Sequence, residues 1–215
     1  RLKALTDQAL AELPARPDLV AWPEGGFMLD LTYWGDPQRA DSSWGRQVLE
    51  FRAYQEALGT WLLTGTQDHE LVNFEAEVAS TLQRDFNSSV LLDDGGRITA
   101  FYHKMRLVPF SEYFPLDKGK FAALYAVFQK YDISDWDVGT QRTVYAHPKM
   151  RFLTPICFED VFADHVRRFV AQGADLILNM SNDYWSLSPV EGRQHGVHAL
   201  FRAVENQRPL LRTTC

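Results

Sequence analysis

Cysteine is scarce. The chain holds two, Cys157 and Cys215, in 215 residues, too few for a disulfide framework. With no C-x-x-C pair they exclude a stapled miniprotein and an obvious zinc module, and they leave the redox compartment open. Positive charge is also short: 22 Lys and Arg stand against 28 Asp and Glu, a formal net charge of −6, with no basic cluster. Such a surface has little hold on phosphate backbones, so nucleic acid is excluded as a partner. Long apolar runs are missing too. The best, Phe121 to Phe128, falls far short of the roughly 18 to 20 residues of a bilayer-spanning helix. The strings G-x-S-x-G, H-E-x-x-H, G-x-x-x-x-G-K-[ST] and G-x-G-x-x-G do not occur. Nor is there a signal-peptide pattern. The chain begins at Arg1 and stops at Cys215, directly after the apolar run Pro209 to Thr214, and the expectation is a piece of a longer protein.

What is present, 46% hydrophobic and 23% charged residues, suffices for a substantial core and argues against disorder. Leu2, Leu5, Ala9, Leu10 and Leu13 recur at helical spacing until Pro14 and Pro17 end the pattern, and Asp18 to Trp22 then reads as a buried strand. A second helix, about Gly45 to Leu58 with Val48, Phe51 and Leu58 on one side, leads through Gly59 into a strand at Thr60 to Thr66. Asn87 to Leu92 and Arg97 to Tyr102 flank Asp93-Asp94-Gly95-Gly96, which predicts a hairpin. Met150 to Ile156 reads as a strand and Asp160 to Gln172 as a helix, with Val161, His165, Val166 and Phe169 on one face. Gly173 is placed to cap that helix before a strand at Asp175 to Met180. A helix at about Val190 to Asn206 precedes the strand Pro209 to Thr214. The alternation predicts a single α/β domain over 1–215 without an internal linker or repeat.

Several residues could carry chemistry. His195-x-x-His198 has a metal-like spacing but no nearby carboxylate or thiol partner, so it reads as packing or surface and no metal is expected. Cys157 is by default a small core hydrophobe. Its place at a strand end before a helix is also where N–H groups and the helix dipole lower a thiol's pKa, and where the Phe158 N–H could hold an oxyanion. Glu24, after an apolar run and before two glycines, could equally be a solvated loop carboxylate. Lys104 and Glu112 lie in a string of alternating charged, apolar and aromatic residues, where a surface lysine is the plain reading. An acid, an ammonium and a thiol at strand ends would converge at one edge of an α/β sheet, where such folds place their sites.

Four strings, Trp22-Pro-Glu24, Tyr102-His-Lys104, Pro155-Ile-Cys157-Phe-Glu159 and Asn179-Met-Ser-Asn-Asp-Tyr-Trp185, together resemble the nitrilase (carbon–nitrogen hydrolase) superfamily, in order and across nearly the whole chain. Within it, three further stretches resemble the catalytic domains of bacterial apolipoprotein N-acyltransferases. They are Leu107 to Pro115, Ser181 to Trp185, and Gln194-His195 with Arg202 to Arg212. The resemblance implies an αββα sandwich, here truncated at both ends, and a Glu24, Lys104, Cys157 triad. It adds a supporting acid at Glu112 and, toward substrate, Phe158, Glu159 and Trp185. It implies no cofactor. The implied reaction moves a fatty acyl chain from a phospholipid to the N-terminal amine of a diacylglyceryl-cysteine lipoprotein through a cysteine thioester. The implied setting is the extracytoplasmic side of a bacterial inner membrane, reached through flanking segments absent from this chain. A phenylalanine at 158 stands where a tyrosine is common, which matters little if only its N–H is used.

Phe121, Leu124, Tyr125 and Phe128, followed by Trp136, could form an apolar arm at a membrane surface, or a helix packed on the core. Two other functions stay open beside the acyltransferase. One is a soluble amidase or nitrilase-type hydrolase using the same chemistry on a small amide. The other is a non-catalytic module whose triad survives as packing.

Overall fold

The computed structural model describes residues 1–72, 82–130, 134–186 and 188–215, with side chains given for all of these but 71, 72, 82 and 185. The chain opens with α1 (Leu2–Glu12), β1 (Leu19–Ala21) and α2 (Ser43–Leu58). The Ser42 hydroxyl caps α2 by accepting from the Gly45 N–H at 2.9 Å. β2 (Trp61–Val72), β3 (Leu82–Leu92) and β4 (Ile98–His103) follow, β3 and β4 being the predicted hairpin. Then come α3 (Ala122–Lys130), β5 (Tyr145–His147), β6 (Met150–Leu153), α4 (Ala163–Val170), β7 (Leu176–Ser181), α5 (Pro189–Asn206) and β8 (Leu210–Thr214).

Two four-stranded sheets result, ordered β1-β2-β3-β4 and β5-β6-β7-β8. In the first, β1 runs parallel to β2 and the remaining pairs are antiparallel; in the second, β6, β7 and β8 are parallel and β5 is antiparallel. The two-residue period of a strand sorts the first sheet's side chains. Leu62, Val90 and Leu92 pack with Val48 and Phe51 of α2, while their neighbours Leu63 and Leu91 pack with Tyr145, Phe152 and Ile177 of the second sheet. Every residue of β7 from Ile177 to Ser181 is buried, as a strand covered on both faces requires. Helix, sheet, sheet and helix therefore form four layers, and strand ends from both sheets meet at one edge.

The structure departs from the sequence reading in several places, among them the longer β2 and β3, which pair from Leu62 to Val72. The apolar stripe of α1 is not buried: Leu5 and Leu13 are about half exposed along an open groove, and the helix docks through Thr6, whose hydroxyl accepts from Trp22 Nε1 at 2.9 Å. The helix expected over Asp160 to Gln172 is instead a 3₁₀ turn, Cys157–Val161, followed by α4. That break turns Val161 outward, while His165, Val166 and Phe169 stay on the buried face. β5 was not foreseen. The two readings of α3 divide: Phe128 is buried against Phe114, with ring centroids 5.4 Å apart, while Phe121, Leu124 and Val127 face outward.

Candidate active site

Glu24 stands in the tight turn after β1. Trp22 still donates to the Leu63 carbonyl at 2.8 Å, Pro23 has no N–H to extend the ladder, and the Gly26 N–H closes the turn onto the Pro23 carbonyl at 2.9 Å. Gly65 of β2 makes room for this turn. A Cβ there would lie 2.5 Å from the Gly25 nitrogen and 2.8 Å from the Glu24 Cα. Lys104 follows β4, its N–H on the Asn87 carbonyl at 2.8 Å. Glu112 sits in a loop closed on itself: its N–H donates to the Val108 carbonyl at 2.9 Å, and the Val108 N–H donates to its Oε2 at 2.8 Å. Cys157 opens the 3₁₀ turn after the bridge between Ile156 and Met180. Its φ is +49°, a left-handed conformation that costs a side-chain-bearing residue roughly 1 to 2 kcal/mol.

Glu24, Lys104, Glu112 and Cys157 line one cavity of about 300 Å³, with Asn87, Asn182, Met28, Val108 and Trp136 among the other walls. The Lys104 ammonium, 1% exposed, lies 2.7 Å from Glu112 Oε1 and 3.3 Å from Glu24 Oε1. Burial alone would lower its pKa, but the Glu24 and Glu112 carboxylates outweigh that and hold it raised, so it stays an ammonium. Asn87 bridges the acids, donating from Nδ2 to Glu24 Oε1 at 2.8 Å and to Glu112 Oε1 at 2.9 Å. The Asn182 N–H donates to the other Glu24 oxygen at 2.9 Å. These contacts orient both oxygens of the Glu24 carboxylate at the wall of the cavity that Cys157 also lines.

The thiol itself is not activated at rest. Burial, and then the Glu24 charge, push the Cys157 pKa up to about 12 against the opposing pull of Lys104 and the Ser181 hydroxyl. The sequence reading expected the opposite shift. A five-residue 3₁₀ turn offers little dipole to oppose burial.

The resemblance set three residues toward substrate. Glu159 is fully buried and does not line the cavity. Its Oε1 accepts from the Tyr102 hydroxyl and the Met105 N–H, both at 2.7 Å, and from the Arg106 N–H at 3.0 Å; its Oε2 accepts from the Ile156 N–H at 2.9 Å. Met105 follows Lys104 and Ile156 precedes Cys157, so this one carboxylate clamps the ammonium's segment to the thiol's. Burial raises the Glu159 pKa, but His165 and these N–H and O–H donors hold it below the usual range. Phe158 packs its ring against Phe162, centroids 5.1 Å apart, leaving its backbone N–H in the first turn after Cys157. The Trp185 side chain lies outside the described residues.

Sequence reasoning missed Asn87, Asn182 and the role of His195. Asn87 is a single polar strand residue with no pattern to mark it, while Asn182 lies in the Asn179 to Trp185 string, which carried the resemblance without giving it a role. His195 is buried while His198 is exposed. Its ring lies behind Cys157, with Nε2 3.1 Å from the Cys157 carbonyl oxygen and Nδ1 2.8 Å from Asp183.

The whole chain, residues 1–215, matches the carbon–nitrogen hydrolase family. The chain belongs to that family. This carbon–nitrogen hydrolase is 34% identical over 217 residues to apolipoprotein N-acyltransferase 1 of Treponema pallidum, covering 99% of this chain and 39% of that protein. It is 32% identical over 216 residues to the apolipoprotein N-acyltransferase of Brucella suis, covering 99% of this chain and 37% of that protein. It thus spans about two fifths of the length of these curated relatives. Its fold is that of solved carbon–nitrogen hydrolases. A Helicobacter pylori G27 member superposes with a TM-score of 0.62 at 17% identity, covering 99% of this chain and 66% of that one. An amidase from Nesterenkonia sp. AN1 superposes with a TM-score of 0.62 at 19% identity, covering 99% and 68%.

Proposed function

We propose that this carbon–nitrogen hydrolase is the catalytic domain of an apolipoprotein N-acyltransferase. In this reading it moves a fatty acyl chain from a phospholipid to the α-amine of a diacylglyceryl-cysteine through a thioester on Cys157. The observation that carries the reading is the meeting of Cys157, Glu24 and Lys104 in one cavity. The likeness of nearly the whole chain to proteins named apolipoprotein N-acyltransferase supports this acyl donor and acceptor over a small amide.

Because the thiol is protonated at rest, attack and proton removal are coupled. Glu24 takes the Cys157 proton as sulfur bonds to the ester carbonyl carbon. The oxyanion is stabilised by the Lys104 ammonium and the Phe158 N–H. The intermediate collapses with cleavage of the carbon–oxygen bond. Glu24 returns its proton to the departing lysophospholipid alcohol, leaving the acyl thioester. The lipoprotein amine then attacks the thioester carbonyl and gives a proton to Glu24; cleavage of the carbon–sulfur bond releases the amide, and Glu24 reprotonates the thiolate.

The surroundings suit a lipid. The segment between Glu112 and Ser134, both of which line the cavity, carries α3 with exposed Phe121, Leu124 and Val127, and Phe110, Leu116 and Met28 are exposed on neighbouring loops. Such a patch is the kind of surface that lies against membrane. No helix among the described residues is long and apolar enough to cross one. In this reading, membrane attachment comes from segments outside this chain.

The test is product analysis with the protein, a phospholipid in mixed micelles and a diacylglyceryl-cysteine peptide. N-acylated peptide and lysophospholipid in equal amounts are expected. Free fatty acid with no acylated peptide, or turnover of simple amides alone, contradicts the proposal in favour of a hydrolase.

A further inference from the structure

Behind Cys157, on the side away from the cavity, lies a buried polar network that the chemistry above does not use. His195 of α5 is at its centre. From the 3₁₀ turn, Asp160 places Oδ2 3.2 Å from Nε2 of the ring. That carboxylate is 1% exposed, and neither of its oxygens has a hydrogen-bond partner of good geometry. From the loop after β7, Asp183 lies 2.8 Å from Nδ1 and is itself held by the Ser181 hydroxyl at 2.7 Å and by Arg212 of β8 at 2.8 Å. On α5 itself, Arg202 donates to the Asp160 and Val161 carbonyls at 3.0 and 2.9 Å.

The ring touches two things that matter to the site. One is the Cys157 carbonyl, whose direction is set by the left-handed backbone at that residue. The other is Asp183, adjacent to Asn182, whose N–H holds Glu24. We propose that His195 is a positioning residue for the nucleophile, holding the Cys157 backbone in the conformation that keeps this residue at the cavity it shares with Glu24 and Lys104 and tying it to the loop that orients Glu24. This rests on the reading of Cys157 as the nucleophile.

The charge state of the ring follows from its surroundings. Burial lowers its pKa, but Asp160, the Cys157 carbonyl and Asp183 outweigh it and raise it to about 9. As an imidazolium, His195 donates from both nitrogens, to Asp183 and to the Cys157 carbonyl at once. A neutral ring has one proton and must turn a lone pair toward one of those oxygens. Both contacts are therefore made together only below about pH 9, and above it the tie between the Cys157 backbone and the Asp183 loop is weakened.

The experiment is alkylation by chloroacetamide followed by peptide mass spectrometry, which needs no acyl substrate. Cys215 is exposed but donates to Asn182 Oδ1 at 3.3 Å in the loop under test, so N-acetylcysteine added to the same reaction serves as the reference. Wild type, His195→Ala and His195→Gln are compared between pH 7 and 10, with thermal melts to verify folding. In His195→Ala, the Cys157 rate relative to N-acetylcysteine should fall about tenfold at pH 7.5. His195→Gln, whose amide can still donate to the carbonyl, should recover part of the loss. The wild-type advantage over His195→Gln should shrink as pH rises through about 9, which a purely structural role would not produce. Should His195→Ala not fold, His195→Gln carries the test alone. Equal Cys157 rates in wild type and the folded variants, or an advantage that does not change with pH, overturn the inference. Failure of the nucleophile reading is separate: it shows as full acyl transfer by Cys157→Ala.

Discussion

The Lys104 ammonium leans on Glu112, at 2.7 Å, more closely than on Glu24, at 3.3 Å. The carboxylate nearer to the ammonium is not the one assigned to proton transfer. In the proposed reading Glu112 holds Lys104 in place while Glu24 exchanges protons with the thiol. Replacing each acid separates the roles. Glu24→Gln removes the base and should lower kcat by about 10² to 10⁴. Glu112→Gln should cost less, roughly tenfold to a hundredfold, and lower stability by about 1 to 3 kcal/mol because a buried ammonium loses a partner. Steady-state kinetics with urea melts checks both, and equal effects of the two variants would dissolve the distinction.

Gly65 gives the second prediction. A methyl group there runs into the backbone of Gly25 and Glu24. Gly65→Ala should keep the two-sheet core and move the Glu24 turn, lowering kcat at least tenfold while circular dichroism is unchanged. A fully active Gly65→Ala protein would mean that the Glu24 turn is not held against β2.

Glu159 separates an anchor from a substrate contact. Glu159→Gln keeps the shape but gives up a charge that several N–H and O–H donors share. It should destabilise the fold by about 2 to 4 kcal/mol and leave KM nearly unchanged. The Glu159 pKa is depressed in the folded protein, so its contribution is present above the ordinary carboxylate pKa and is lost as pH falls through the depressed value. Wild-type melts should therefore lose more stability on acidification than those of Glu159→Gln. A rise in KM without loss of stability would point to substrate contact.

What the sequence made legible followed from local chemistry. Pro23 and the glycines at 25 and 26 end a strand at Glu24, and the strand-like runs Arg97 to Tyr102 and Met150 to Ile156 stop just short of Lys104 and at Cys157, so an acid, an ammonium and a thiol at strand ends could be read from the sequence. Partners that act across the sandwich could not. Asn87 in β3 reads as any polar strand residue, and only folding brings it between Glu24 and Glu112. His195 reads as packing until Asp160, Asp183 and the Cys157 carbonyl, from three separate segments, surround it. The direction of the Cys157 shift was misread because spacing shows a helix start but neither the depth of burial nor the nearness of Glu24.

His195 also predicts a stability profile. Its pKa is raised in the folded protein to about 9, above the ordinary histidine value. The stabilisation is complete below about pH 6.5 and is lost as pH climbs through 9. Melting temperature should fall across that window in wild type and vary less in His195→Gln. Parallel profiles would show that His195 is not charged in the folded state.

The central claim is that Cys157 carries the acyl group, and intact-protein mass spectrometry after incubation with a defined phospholipid tests it most directly. The account predicts a mass gain of one fatty-acyl chain, removed by neutral hydroxylamine and absent from Cys157→Ala. An unmodified Cys157 together with continued acyl transfer, or an adduct that persists in Cys157→Ala, would contradict it.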